Sequence, residues 1–174
     1  NDITERKQAE EALHAANVLL EKTLSSLDEL FTAARRPSTS IHDLLGQAAQ
    51  MIYKQLRIRE VSIGLRDPKD GLYRYKVMAG MASNKWQAHG NLVYTEEDFL
   101  RNDKWHGTMI SKYTKLMLAE DNPYAEGEEN TVDRQEMLTS KRHNLDDSIE
   151  GDYLDIMIPG LEDDLIGWIE ISGT

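Results

Sequence analysis

Residues 61–77 read VSIGLRDPKDGLYRYKV, two alternating runs on either side of a turn. Val61, Ile63 and Leu65 alternate with Ser62, Gly64 and Arg66, and Tyr73, Tyr75 and Val77 alternate on the return. A period of two sends neighbouring side chains to opposite faces of a strand. Joined by Asp67-Pro68-Lys69-Asp70-Gly71, the two runs predict a β-hairpin. A second hairpin closes the chain: Tyr153 to Ile158 is a strand ended by Pro159, Gly160 to Asp164 reverses direction, and Leu165 to Ser172 returns as an apolar strand.

Upstream of the first hairpin the period is helical. Ser40 is placed to cap a helix with Asp43 three residues on, and Ile41, Leu44, Leu45, Ala48, Ile52 and Leu56 form its expected buried face. Before it, residues 1 to 36 contain no Gly or Pro, Thr4 suits a helix start, and Arg35, Arg36 and Pro37 suit its end. The spacing predicts one long helix, with Ser38, Thr39 and Ser40 as a hinge. Leu13, Leu20, Leu27 and Ala34 recur at heptad spacing. One frame joins them to Glu10, Asn17, Leu24 and Phe31, and a rival frame to Ala9, Ala16, Thr23 and Leu30. The first predicts a parallel homodimer with Leu13, Asn17, Leu20, Leu24 and Leu27 at the seam, Asn17 fixing register. The alternative is an amphipathic helix packed on its own domain.

Between the hairpins the signals thin out. Thr95 with Asp98 marks a short helix start, residues 108 to 119 read as a strand, 120 to 130 as a polar loop and 131 to 142 as a weak helix. The expected class is therefore α+β: a central antiparallel sheet flanked by helices, with a long N-terminal helix. Residues 1–36 form the linker helix, 37–40 the hinge and 41–174 the globular domain.

Composition narrows the chemistry. The 174 residues include no cysteine, which removes disulfides, thiolate metal sites and thiol nucleophiles. A net charge of −11 argues against nucleic acid as a partner. The charge concentrates between Glu120 and Asp164, where 15 acidic residues face 3 basic ones; this stretch is expected to be a mobile, solvated surface, with a cation site or a basic partner as the alternatives. No apolar run is long enough to span a bilayer and no secretory signal opens the chain, so a cytoplasmic location is expected and no membrane segment in this stretch.

The opening Asp2-Ile3-Thr4-Glu5-Arg6-Lys7-Gln8-Ala9-Glu10-Glu11-Ala12-Leu13 resembles the segment that ends PAS domains and begins the helix to the next module. From about Ile41 onward the order of elements resembles GAF domains, above all in Ile156-Met157-Ile158-Pro159 and in Leu165 to Ser172. The resemblance implies a sensory domain of a signalling protein such as a sensor histidine kinase of a two-component system. It implies no catalytic activity in this stretch. Asn84-Lys85, followed by Phe99 and Asp103, resembles part of the nucleotide-binding GAF pattern, but Lys104 stands where that pattern has Glu. Bilin attachment as in phytochrome-like GAF domains needs a cysteine that this chain lacks.

No Gly-rich phosphate loop, Gly-x-Ser-x-Gly elbow or kinase segment occurs, and the histidines His14, His42, His89, His106 and His143 never fall four residues apart. No metal site is expected. His89 and His106 lie where GAF pockets are built, which leaves haem ligation through histidine as an implication of the resemblance; no cofactor is required. The candidate ligand-binding residues are Trp86, His89, Tyr94, Phe99, Trp105, His106 and Tyr113, because ligand sites are largely apolar with a few polar groups. Core packing by the same aromatic residues is the competing role. The expected function is reception of a small-molecule ligand and transmission through a dimeric helix. The alternative is a ligand-free dimerisation spacer relaying movement from a neighbouring PAS domain.

Overall fold

The computed structural model describes residues 2–101, 105–122, 139–144 and 147–173. Ten elements follow in order: α1 (Asp2–Ala34), α2 (Ile41–Leu56), β1 (Glu60–Arg66), β2 (Tyr73–Ala79), α3 (Ser83–Gly90), α4 (Glu96–Leu100), β3 (Thr108–Ser111), β4 (Thr114–Met117), β5 (Tyr153–Pro159) and β6 (Leu165–Ser172). The strands make one antiparallel sheet in the order β2-β1-β6-β5-β4-β3. Both hairpins read from the sequence are present. The terminal one supplies the middle of the sheet, because β6 pairs with β1 as well as with β5.

Helix α2 covers one face of the sheet. Ser40 Oγ accepts the Asp43 amide at 3.1 Å, which satisfies one of the free N–H groups that open a helix. Ala49 is fully buried, and Leu45, Ala48, Ile52 and Tyr53 join it in packing on Ile58, Val61, Ile63, Val77 and Ala79. Ile41 and Leu56, expected on this buried face, are 62% and 53% exposed. They occupy the first and last positions of the helix, and the core lies beneath its central turns.

The first hairpin departs from simple alternation in two ways. Both faces of β1 are covered, so Ser62 and Gly64 are buried along with Val61 and Ile63. Strand β2 also carries a bulge: Ile63 pairs with Val77 and Gly64 with Tyr75, leaving Lys76 as the extra residue. An extra residue resets the pleat, so Val77 and Ala79 pack under α2 while Tyr73 and Tyr75 enter the aromatic cluster on the other face. Tyr73, Tyr75 and Val77 do not share a face as the alternation suggests.

Residues 108–119 are not one strand. They hold the β3–β4 hairpin, turned at Lys112 and Tyr113. This turn lacks the usual Gly or Asn and is held from outside: Tyr113 Oη donates to Asp163 Oδ1 at 2.7 Å, and Lys112 Nζ lies 3.0 Å from the same carboxylate. Helix α3, unmarked in the sequence, follows Ala82, whose side chain offers no cap. The short α4 is as expected, with Asp98 accepting the Thr95 amide at 2.7 Å. The expected polar loop and weak helix between 120 and 142 fall mostly outside the described residues.

Helix α1 runs 33 residues, roughly 50 Å at 1.5 Å per residue. Every residue from Thr4 to Asn17 is exposed. Further along, Thr23, Ser26, Leu27, Leu30 and Ala33 are covered to varying degrees, and Gln55 of α2 donates to Ser26 Oγ and to the Lys22 carbonyl. The rival heptad frame thus supplies Thr23 and Leu30 to the covered side. Leu13, Leu20, Leu24 and Phe31 remain 56–63% exposed, with Asn17 exposed among them. Among the described residues, no helix is long and apolar enough to cross a membrane.

Candidate functional site

On the face of the sheet opposite α2, the side chains of β2 and β6 meet α3, α4 and the segments around Trp105 and residues 148–152. They enclose a cavity of about 350 Å³, at the small end of the roughly 300–1,000 Å³ range of ligand pockets. Trp168 anchors its wall. The indole lies across Gly64, where a Cβ would come within 2.1 Å of the ring, so only glycine permits this approach. Tyr75 and Phe99 stand with ring centroids 4.9 Å from the indole and Tyr94 at 5.7 Å, in the tilted and edge-on arrangements that aromatic pairs prefer. Tyr73 seals the cluster from beneath and donates to the Leu165 carbonyl at 2.7 Å.

Polar groups line the other side. Glu170, beside Trp168 on β6, accepts the Tyr75 hydroxyl at 2.7 Å. His89 is buried on α3; its Nδ1–H donates to the Lys85 carbonyl at 2.9 Å, and its Nε2 lies 4.0 Å from Glu170. Asp155 is the cross-strand partner of Glu170, so two carboxyl groups lie side by side in the wall. Burial, then the neighbouring Glu170, pushes Asp155 well above the ordinary carboxylate range, against the opposing pull of Lys115. Glu170 is pushed up by burial too, offset by His89 and Tyr75. Burial and the same glutamate raise Tyr75, keeping its phenol protonated. Lys115 lies across from Asp155 on β4, but its ammonium donates to the Trp105 carbonyl at 2.8 Å, and burial lowers its affinity for a proton.

Of the described acidic stretch, Glu120, Asp121, Glu162 and Asp163 are exposed as expected, but Glu150 and Asp152 are covered and ion-paired. Arg142 donates to both oxygens of Asp152 at 2.7 and 2.8 Å and also reaches Glu120, while Asp152 accepts the amides of Ala119 and Ile149. Lys85 lies 3.2 Å from Glu60 and 3.4 Å from Glu150; burial opposes its charge, and the two glutamates outweigh burial and hold it protonated. Opposite charges distant in sequence converge here, which a count along the chain does not reveal.

Of the candidate ligand-binding residues, His89, Tyr94, Phe99 and Trp105 line the cavity. Trp86 packs against the aromatic cluster without reaching the cavity. His106 is exposed in a separate groove, its carbonyl accepting from Asn122, so the two histidines do not converge on one ligand. Tyr113 is held by Asp163 at the β3–β4 turn. The sequence reading missed Tyr75, Asp155, Trp168 and Glu170. All four lie on strands, where large or alternating residues read as core. Among the described residues, no group of three or more potential metal ligands gathers.

No protein-family model matches the chain, and no curated protein is significantly similar in sequence. Solved structures do resemble it. The GAF domain of a phosphoenolpyruvate-protein phosphotransferase from Coxiella burnetii aligns at TM-score 0.52 and 14% identity, over 88% of this chain and 76% of that one. The corresponding GAF domain from Acinetobacter aligns at 0.50 and 12% identity, over 90% and 77%. The A. aeolicus nlh2 GAF domain in an inactive state aligns at 0.51 and 12%, over 90% and 83%. The fold of this chain is that of GAF domains.

Proposed function

We propose that the chain is a non-catalytic sensory module of a signalling protein, in which a small molecule in the cavity biases the packing of α1 in a parallel homodimer. The observation that carries this reading is the cavity itself, about 350 Å³ lined by aromatic side chains together with His89, Asp155 and Glu170. The exposed Leu13, Leu20, Leu24 and Phe31 supply a seam for the second copy. An isolated helix gains little stability without packing, and every residue of α1 from Thr4 to Asn17 is exposed. A sensor histidine kinase with a PAS domain ahead of α1, working in the cytoplasm, is the parent that the opening residues favour.

The ligand needs only differential affinity for two arrangements of the helix pair, typically ~1–3 kcal/mol. Mass analysis of the natively purified protein after denaturation tests the reading. A small molecule released from the chain that raises the melting temperature when added back supports it. A protein purified empty and indifferent to a broad panel of small molecules contradicts it and leaves a ligand-free spacer.

A further inference from the structure

The wall of the cavity has an imbalance that packing alone does not explain. Asp155 and Glu170 face one another directly across β5 and β6, an arrangement in which like charges repel. Most other carboxylates of the wall are satisfied: Asp152 by Arg142, Glu60 and Glu150 by Lys85. Glu170 has the Tyr75 hydroxyl and, at 4.0 Å, His89. Asp155 Oδ1 is sealed from solvent with no hydrogen-bond partner among the described residues, and Lys115 opposite is committed to a carbonyl. The rest of the Asp155 side chain lines the cavity beside Glu170, and a carboxylate so placed, without a charged partner of its own, calls for a donor that carries positive charge. The adjoining wall is Tyr75, Tyr94, Phe99 and Trp168, whose ring faces attract cations.

We propose that the cavity binds a small organic cation, a primary or secondary ammonium or an amidinium on an apolar body, with its charged head at Asp155 and Glu170 and its body against the aromatic rings. A quaternary ammonium would satisfy the rings but not the carboxylates, which need N–H donors. A cationic head at this point would also displace the proton that Asp155 holds and balance the charge left behind. The inference rests on the reading of the cavity as a ligand site and specifies its chemistry.

Three probes of one shape separate the two ideas: 2-phenylethylammonium, neutral 2-phenylethanol and anionic phenylacetate, titrated into the full chain by calorimetry with thermal melting alongside. The ammonium is expected to bind tightest and to raise the melting temperature. Asp155→Asn is expected to weaken it about tenfold or more, the loss of one charged hydrogen bond, while leaving 2-phenylethanol nearly unaffected. Glu170→Gln serves as the second variant, each checked for folding by circular dichroism. Binding of the alcohol or the acid as tightly as the ammonium overturns the cation while sparing the site. Ammonium binding unchanged in both variants overturns the assignment of the head group. Binding of none of the three overturns the inference, while the ligand site itself is decided by the mass analysis and the broad panel.

Discussion

Gly64 and Trp168 face each other across β1 and β6, and the cavity depends on that pair. The indole is ringed by Tyr73, Tyr75, Tyr94 and Phe99 and cannot retreat from an added methyl group. Gly64→Ala is therefore expected to destabilise the domain by about 1–3 kcal/mol, the usual cost of overpacking, and to change the tryptophan near-ultraviolet dichroism. Urea melts that match the wild type would show that the ring has room. A second residue-scale prediction concerns pH. Because burial and Glu170 raise Asp155 in the folded state, the folded chain holds a proton that the unfolded chain releases near pH 4. The contribution of Asp155 to stability is thus full below that pH and is lost as pH rises through its folded value. Asp155→Asn should flatten that decline and gain in stability on the wild type as pH rises. A variant whose stability falls with pH as steeply as the wild type would place the buried proton elsewhere. Trp168 was visible in the sequence as an apolar strand residue, but its role was not, since only the register that sets it on Gly64 turns a core tryptophan into a cavity wall.

At the scale of elements, legibility followed the strength of local signals. The Ser40 cap, the Thr95–Asp98 start and the two hairpins were all readable because each is written in a few adjacent residues with a physical reason to be there. Helix α3 carries no such cap, and the Lys112-Tyr113 turn is closed by Asp163, some 50 residues away. The Lys76 bulge likewise has no mark in a run that alternates cleanly, yet it decides which tyrosines reach the cavity. Helix α1 offered two heptad frames, and the fold separates them: Thr23 and Leu30 lie on the side covered by its own domain, while Leu13, Leu20, Leu24 and Phe31 are left outward. This division gives the element-scale prediction. Leu20→Glu with Leu24→Glu should convert a dimer to a monomer in light scattering, because like charges would meet across the seam, and should leave the melting of the globular domain nearly unchanged, since both side chains are already exposed within one copy. A dimer that survives both substitutions would show that the stripe serves another surface.

The whole molecule places the cavity and the N-terminal helix on opposite sides of one sheet: the cavity lies against α3 and α4, and α1 packs on α2, which covers the far face. The proposed coupling between them would run through β2 and β6, which contribute to both cores: Tyr75 and Trp168 in the aromatic cluster, and Val77, Ala79, Ile169 and Ile171 beneath α2. Because the chain has no cysteine of its own, Ala12→Cys and, separately, Thr32→Cys can each carry one nitroxide label for pulsed dipolar distance measurement. Both positions are exposed, near opposite ends of α1. A short inter-subunit distance is expected at both positions, as only parallel helices give, with a shift in at least one distribution when 2-phenylethylammonium fills the cavity. Labels that report no partner, a long distance at both ends, or short distances that stay fixed at saturating ligand would contradict a cavity that signals through a parallel helix pair.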